Sequence, residues 1–408
     1  MKFILSLYRE AFSNLQRNIW ILAISMFINR SGSMVLLFTS LYITNELHFT
    51  IIDAGFVMSF YGIGSVLGSY TGGWLTDRRN HFDIMVYSLS ASGFILLLLL
   101  ATTSLAGIAS VIFFYAFSAD MFRPANSSAI ADYTTTTDRT RSVSLVRLAV
   151  NLGFSVGPAI GGFVALYLGY KWLFVIDACT SFAAAIMLYM YLPRKKSELD
   201  RHKNEVLSNR STSAYRDYRY LLFILLVAMY GICFFQLFAS MPQYFNQVCH
   251  YSEDTIGLLL ALNGLLVVII EMPLITVLEK KKKTFLYIII GVICLPFSFS
   301  ILRLGEGMMA MAIIYTLFIT MSEIFAMPFM FNYAISRPQK ERQGQYSALY
   351  SISYGLANIA APSLGLGIAG KYGFDTMFIF FIALSILVAL AFSALSKNQE
   401  RTKVISES

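Results

Sequence analysis

Charge is scarce in this chain. Only 13% of its 408 residues are charged, against 57% hydrophobic. A soluble domain carries nearer to roughly a quarter charged residues. This chain could not cover a water-facing surface and is expected to be a membrane protein. Cysteine is scarcer still. Cys179, Cys233, Cys249 and Cys294 lie far apart, no Cys-x-x-Cys occurs, and the four histidines are scattered. A disulfide frame or a structural metal is therefore not expected. No Gly-x-x-x-x-Gly-Lys-Ser/Thr loop is present, which argues against ATP drive. No Ser/His/Asp set is spaced for chemistry, so neither catalytic residues nor cofactors are expected, and an enzyme is the least favoured class. A channel is disfavoured too, because the duplicated plan with buried acids described below implies alternating access. Strict apolar/polar alternation is absent, which excludes a lipid-embedded barrel.

What the chain does have is long apolar runs. A helix needs about 20 apolar residues to cross about 30 Å of hydrocarbon. Twelve such stretches can be read, at 18–45, 51–75, 82–104, 106–131, 140–167, 171–193, 219–248, 254–279, 284–303, 307–335, 342–370 and 373–395. The predicted fold class is all-α, twelve transmembrane helices in two pseudo-symmetric six-helix bundles. The opening residues carry Arg9 and Glu10 inside an apolar stretch. That interrupts a signal-peptide core and fits an amphipathic cytoplasmic helix.

The net charge of +8 could suggest nucleic acid, but the placement of the cations decides against it. Arg78 and Arg79, Arg139 and Arg141, Arg194 to Arg216, Lys280 to Lys283, Arg337 to Arg342, and Lys397 to Lys403 all fall in alternate loops or in the tail. The opposite loops hold Lys171, Arg303 and Lys371. This bias predicts both termini in the cytoplasm. The absence of long extracytoplasmic loops points to a bacterial inner membrane.

The halves repeat. Pro124 and Pro328 are 204 residues apart, and so are Pro158 and Pro362. Gly161 and Gly162 answer Gly365 and Gly367. Two prolines at one offset in matching context indicate duplication, a known transporter plan. The predicted organisation is a bundle at 1–193, a basic cytoplasmic linker at 194–218, a bundle at 219–396 and a tail at 397–408.

Two motifs carry a resemblance. The second span ends Gly72-Gly73-Trp74-Leu75-Thr76-Asp77-Arg78-Arg79, and the fifth contains Gly153-Phe-Ser-Val-Gly157-Pro158-Ala-Ile-Gly161-Gly162. The first resembles the loop 2–3 motif of the major facilitator superfamily. The second resembles a signature of its drug/proton antiporter branch. Asn80, His81 and Phe82 depart from the loop pattern, and in the second half Glu279 with four lysines forms a degenerate copy. Gly73 is expected to let helices approach closely. Asp77 can cap a helix or pair with the next loop's arginines, and Asp132 is a plausible partner for Arg78. The resemblance implies that this loop acts as a cytoplasmic latch; the simpler reading is that Arg78 and Arg79 only set orientation. Gly157 and Pro158 are read as tight packing with a bearing on gating.

Ionisable groups deep in a span are costly and become functional candidates. They are Arg30, Asp120, Arg123, Arg147 and Asp177 in the first half, and Glu271 and Glu323 in the second. Helical spacing groups Asp120 with Arg123 and Ser127, Arg147 with Asn151, Asn263 with Glu271, Gln236 with Gln243, and Tyr346, Tyr350, Tyr354 with Asn358. Arg30, Arg123, Arg147, Asn151, Gln236, Asn263, Tyr350 and Tyr354 are the predicted substrate-binding residues. Glu323, Glu271 and Asp120 are the predicted proton carriers, because desolvation favours a neutral carboxyl that can load and release a proton. Asp120 with Arg123 could equally be a self-neutralising pair, and Asp177 a helix-end or packing residue.

The leading expectation is a monomeric, proton-coupled transporter of a small molecule. The antiporter-like motif favours efflux, and the arginines favour an anionic or zwitterionic substrate, which a guanidinium binds bidentately. A symporter importing a peptide, siderophore or organic acid is the close rival, and a lipid flippase is the alternative of another class. Protons and the bilayer are the other expected partners, with no nucleic acid.

Overall fold

The computed structural model describes residues 15–76, 78–134, 139–194, 214–279, 281, 283–305, 307–337 and 343–407. The expected opening helix, Asp77 and the central linker's basic run lie outside them. Twelve helices among the described residues are long and apolar enough to span a membrane. They are α1 (Arg17–Glu46), α2 (Ile51–Thr76), α3 (His81–Ala101), α4 (Leu105–Tyr133), α5 (Ser142–Tyr167), α6 (Tyr170–Tyr191), α7 (Tyr218–Gln247), α8 (Glu253–Ile275), α9 (Thr284–Leu304), α10 (Met309–Ala334), α11 (Ala348–Tyr372) and α12 (Phe374–Lys397). Lipid offers no hydrogen bonds, so each span must satisfy its own backbone. That is why the apolar runs became helices, with ends close to those the sequence predicts.

Several spans are interrupted. α1 breaks at Ser33–Met34, α4 at Met121, and α7 at Phe235 and Ser240. Pro158, Pro273, Pro296, Pro328 and Pro362 lie inside helices. A proline removes a donor and frees the carbonyl four residues back. Pro124 does this to Asp120, whose carbonyl receives the Ser69 hydroxyl of α2 at 3.5 Å.

The repeat reaches the turns. Gly169 joins α5 to α6 at φ +91° and Gly373 joins α11 to α12 at φ +87°, again 204 residues apart. A side chain is strained at such φ, so glycine is the natural occupant of both.

The described residues fall into two compact units. One comprises Met1–Thr39 with Phe60–Asn204, the other Ser40–Ser59 with Glu205–Ser408. The stretch 40–59, at the far ends of α1 and α2, thus packs with the second unit. In the first unit α1 packs on α5 and α6. α2 lies on α4 through Gly64, Gly68 and Gly72, where an added Cβ would come within 2.3, 2.1 and 2.6 Å of α4 carbonyl oxygens. Gly73, expected to make this approach, faces only the Pro124 side chain at 4.0 Å. One residue along a helix is a turn of about 100°, and Gly72 is the one on the seam.

In the second unit α9 packs on α10 and α12, and α7 on α11. One end is held by a clasp. The Asp217 side chain caps α7 by accepting from Tyr220 N–H at 3.1 Å. It also receives Arg337 through Nε at 2.7 Å and Nη2 at 2.9 Å, and the Tyr346 hydroxyl at 3.1 Å. Tyr220 in turn donates to the Tyr346 carbonyl at 2.6 Å.

Candidate functional site

The first unit contains a polar cavity, and the break in α1 places its main cation. Arg30 lies just before the break. Its backbone is held close to α5 by the glycine stripe: a Cβ at Gly153 would lie 2.6 Å from Arg30 Cβ, one at Gly157 3.1 Å from the Ser31 carbonyl, and one at Gly161 2.9 Å from the Phe38 ring. The antiporter-like motif, Gly157 and the buried Pro158 included, is thus the seat of the broken segment of α1. The Arg30 guanidinium lies 5.5 Å over the Phe154 ring and lines the cavity with Tyr61, Tyr115, Asp120, Arg123 and Ser181. The cavity offers about 40 Å³ to the centres of water-sized groups.

Arg123 Nε meets Asp120 Oδ1 at 2.8 Å; the carboxylate is buried, while the arginine side chain is 54% exposed. Asp120 Oδ2 and Arg30 Nε are buried with no hydrogen-bond partner among the described residues. Orphaned buried polar atoms are uncommon in folded chains. Here a donor and an acceptor of opposite charge line the same cavity. Arg147 and Asn151, predicted to extend this cationic wall, are not among its lining residues, and Arg147 is exposed. Helical spacing paired them correctly on one face of α5, but that is not the face on the cavity.

Asp177 is 1% exposed and sits behind the cavity wall. Its carboxylate accepts the Tyr115 hydroxyl at 3.3 Å.

The second unit gathers the acids of α8 and α10. Asn263 donates to Glu323 Oε2 at 3.1 Å and to Thr320 Oγ1 at 3.0 Å. Glu271 is buried on α8, near enough to Glu323 for their charges to interact. Tyr350 and Tyr354 lie side by side with centroids 5.2 Å apart and ring planes tilted by 59°, and Phe235 of α7 meets Tyr354 edge-on. Tyr346, predicted as part of the same ridge, is drawn instead into the Asp217 clasp.

Gln236, predicted to bind substrate, belongs to a buried hydrogen-bond network. It is fully buried, donates to the carbonyls of Ile232 and Ala361 at 3.0 Å each, and receives Ser240 at 2.5 Å. It locks α7 to α11 where Gly365 leaves room: a Cβ there would lie 2.0 Å from Gln236 Oε1. Gln243, its partner in spacing, donates to Thr44 at 2.9 Å.

That contact belongs to a joint the sequence reading missed. Asn45 donates to Asn246 at 3.0 Å and Gln247 to Gln243 at 2.9 Å. Ser59 bonds Ser363 at 2.5 Å and the Ile359 carbonyl at 2.9 Å. These side chains are neutral, so no charge pattern marks them. The available signal was the small residues Gly55 and Gly370, which bring the backbones together.

At the loop motif, Asp132 pairs with His81 Nδ1 at 3.2 Å, and the Arg78 guanidinium stacks 3.8 Å over Trp74. The expected Asp132–Arg78 pair is replaced by these contacts, because the indole of Trp74 offers Arg78 a platform one turn away. His81, which departs from the loop pattern, takes up the acid instead.

A sequence profile described as Major Facilitator Superfamily matches residues 19–362. The chain is 23% identical over 361 residues to the uncharacterized MFS-type transporter YqjV of Bacillus subtilis (strain 168), covering 85% of each chain. It is 22% identical to multidrug resistance protein 2 of the same organism, over 78% of this chain and 80% of that one. In three dimensions it is similar to a POT family transporter solved in complex with a thioalcohol conjugated peptide, with a TM-score of 0.81, 14% identity, and coverage of 96% of this chain and 98% of that one. A profile match over most of the chain, twelve apolar spans and the shared fold lead to one conclusion: the chain is a multi-pass membrane transporter and belongs to the major facilitator superfamily.

Proposed function

We propose that this transporter moves a small anionic or zwitterionic organic molecule out of the cell in exchange for protons, by alternating access of two six-helix halves. The observation that carries the reading is the cavity holding Arg30 Nε and Asp120 Oδ2, both buried and without a hydrogen-bond partner among the described residues. Arg30 and the exposed Arg123 offer a carboxylate two guanidinium groups. Asp120 Oδ2 offers an acceptor to an ammonium or hydroxyl on the same molecule. Leaving such groups unpaired costs about 1–3 kcal/mol each, and more when charged, so a ligand that satisfies both is favoured. Tyr61 and Tyr115 add hydroxyls on the same wall.

Proton work is assigned to the second half. Glu323 has an amide partner in Asn263 and a second acid, Glu271, nearby. Similarity to multidrug resistance protein 2 supports export. The cation bias of the loops supports cytoplasmic termini in a bacterial inner membrane, and a monomer suffices because each site is built within one chain.

The test uses purified protein in liposomes with an imposed pH gradient. A panel of carboxylates, amino acids and lipophilic cations is offered as substrate. Carboxylates and amino acids should move against the proton gradient, and Glu323→Gln should abolish that movement yet preserve substrate exchange. Transport of the cations alone, or gradient-driven transport by a Glu323→Gln, Glu271→Gln double variant, would overturn the reading.

A further inference from the structure

Thr316, Thr320 and Glu323 stand on one face of α10, at i, i+4 and i+7. Thr320 turns its hydroxyl back along the helix and donates to the Thr316 carbonyl at 2.5 Å, the back-bond common for a helical threonine. A hydroxyl has one hydrogen to give. The Thr320 oxygen can then only accept, and it accepts from the Asn263 amide of α8 at 3.0 Å. This decides which way round the amide lies: its nitrogen, not its oxygen, faces α10. The second hydrogen of that nitrogen goes to Glu323 Oε2 at 3.1 Å. Asn263 is 4% exposed, Thr316 1% and Thr320 0%, so water does not compete for these bonds.

The direction of each bond in this chain is thereby set, and Oε2 is held as an acceptor whichever charge the acid carries. Glu323 is partly exposed, and among the described residues Oε2 is the oxygen that takes a side-chain bond. Oε1 is left as the seat for a proton. The ionisable groups around Glu323 come from three other helices. Glu271 of α8 is near enough for the two charges to interact. Tyr230 of α7 meets the Ser322 hydroxyl at 3.2 Å. Tyr350 of α11 meets Tyr354 and the Met327 carbonyl at 3.4 Å each. α9 packs on α10 through Gly291, where an added Cβ would lie 2.6 Å from the Ala326 nitrogen. None of these groups is a cation, so the Asn263 amide is the donor that stabilises a charged Glu323.

We propose that Asn263 is a positioning residue for proton transfer: its locked amide fixes Glu323 Oε2 to α8, leaves Oε1 to take and release the proton, and carries the change of charge into the contact between α8 and α10. Hydrogen bonds to a carboxylate are roughly twice as strong as those to a neutral oxygen. A proton arriving on Oε1 from the water phase therefore weakens the tie between Asn263 and Glu323 without breaking it, and its departure restores the tie. Neither Asn263 nor Thr320 gains or loses a proton. Spacing along α8 suggested that Asn263 binds substrate beside Glu271, but both of its amide hydrogens are spent on α10. This rests on Glu323 as the proton carrier of the proposed exchange, and adds the two residues that orient it.

The test reads Glu323 without any substrate. Infrared difference spectra of the protein in nanodiscs are recorded between about pH 4 and pH 10. The protonated-carboxyl band of Glu323 is identified by its loss in Glu323→Gln. Asn263→Leu should move that band to higher wavenumber, because the carboxyl C=O loses its N–H partner. Thr320→Val should move it the same way by less, since the amide keeps Glu323 but loses its anchor. Thr316→Val retains the backbone carbonyl that Thr320 uses and should leave the band in place. Should Asn263→Leu fail to fold, the two threonine variants decide the matter. A band at the wild-type position in Asn263→Leu or in Thr320→Val, or one moved as far by Thr316→Val, would overturn the proposal. Absence of a Glu323 carboxyl band at every pH would instead sink Glu323 as the proton carrier. The carboxylate stretch that Glu323→Gln also removes would then report the Asn263 bond, and its failure to move in Asn263→Leu would overturn the positioning role separately.

Discussion

Replacing Asp217 should destabilise the second unit by an amount that can be worked from its contacts. The carboxylate receives two bonds from Arg337, one hydroxyl from Tyr346 and the Tyr220 N–H. Hydrogen bonds to charged groups contribute roughly 1.5–3 kcal/mol each, but the side chains are 15% and 23% exposed, so solvent screens part of this. Asp217→Asn keeps the cap and loses the charge, and should cost about 2 kcal/mol, or roughly 30-fold in the folded-to-unfolded ratio. Asp217→Ala loses the cap as well and should cost about 1 kcal/mol more. Burial alone would raise the Asp217 carboxyl, but its bonds from Arg337, the Tyr220 N–H and Tyr346 outweigh that and hold it below its ordinary 3.8. A carboxyl lowered on folding stabilises above its unfolded value and loses that contribution as pH falls through its folded one. The difference between wild type and Asp217→Asn should therefore be flat from about pH 5 to pH 8 and shrink only below about pH 4. The assay is thermal unfolding in detergent followed by a thiol-reactive dye. Cys233 of α7 is fully buried and reports on this unit; the exposed Cys179 is first changed to serine. Equal midpoints at neutral pH, or a difference that collapses within the flat range, would refute the reasoning.

Two glycine predictions use the same unfolding assay. Gly365→Ala puts a Cβ 2.0 Å from Gln236 Oε1 and 2.1 Å from Ser240 Oγ, so it should break the buried amide lock and cost about 2–4 kcal/mol; a neutral substitution would mean that α7 and α11 do not cross there. Gly72→Ala meets the Met121 backbone at 2.6 Å and should cost about 1–3 kcal/mol, whereas Gly73→Ala, with only Pro124 at 4.0 Å, should be tolerated. The reverse order would put Gly73 on the seam after all.

The candidate site was partly legible. Arg30, Asp120 and Arg123 stand out as charges in apolar runs, and they do line one cavity. Glu323 stands out for the same reason, and Asn263, singled out by its spacing from Glu271, does meet it. Asp177 stands out as well, but its place near one end of α6 suggested packing. Its partner is the Tyr115 hydroxyl of α4, and α1 breaks at Ser33–Met34 beside the cavity that Tyr115 lines. No side-chain pattern records that break.

The twelve spans, their approximate ends and the duplication were all readable along the chain. Lipid forces each helix to satisfy its own backbone, so a span is a local property written in about 20 consecutive residues. Pro124 with Pro328, Pro158 with Pro362, and the turn glycines Gly169 and Gly373 keep one offset for the same local reason. How each helix is rotated about its axis is not local. Lipid tails are as apolar as leucine, so hydrophobicity does not separate the face that meets lipid from the face that meets protein. Gly72 rather than Gly73, Gln236 locked against Gly365, and Arg147 off the cavity wall all turn on that rotation. Close packing and buried hydrogen bonds set it, and they exist only once the helices have come together.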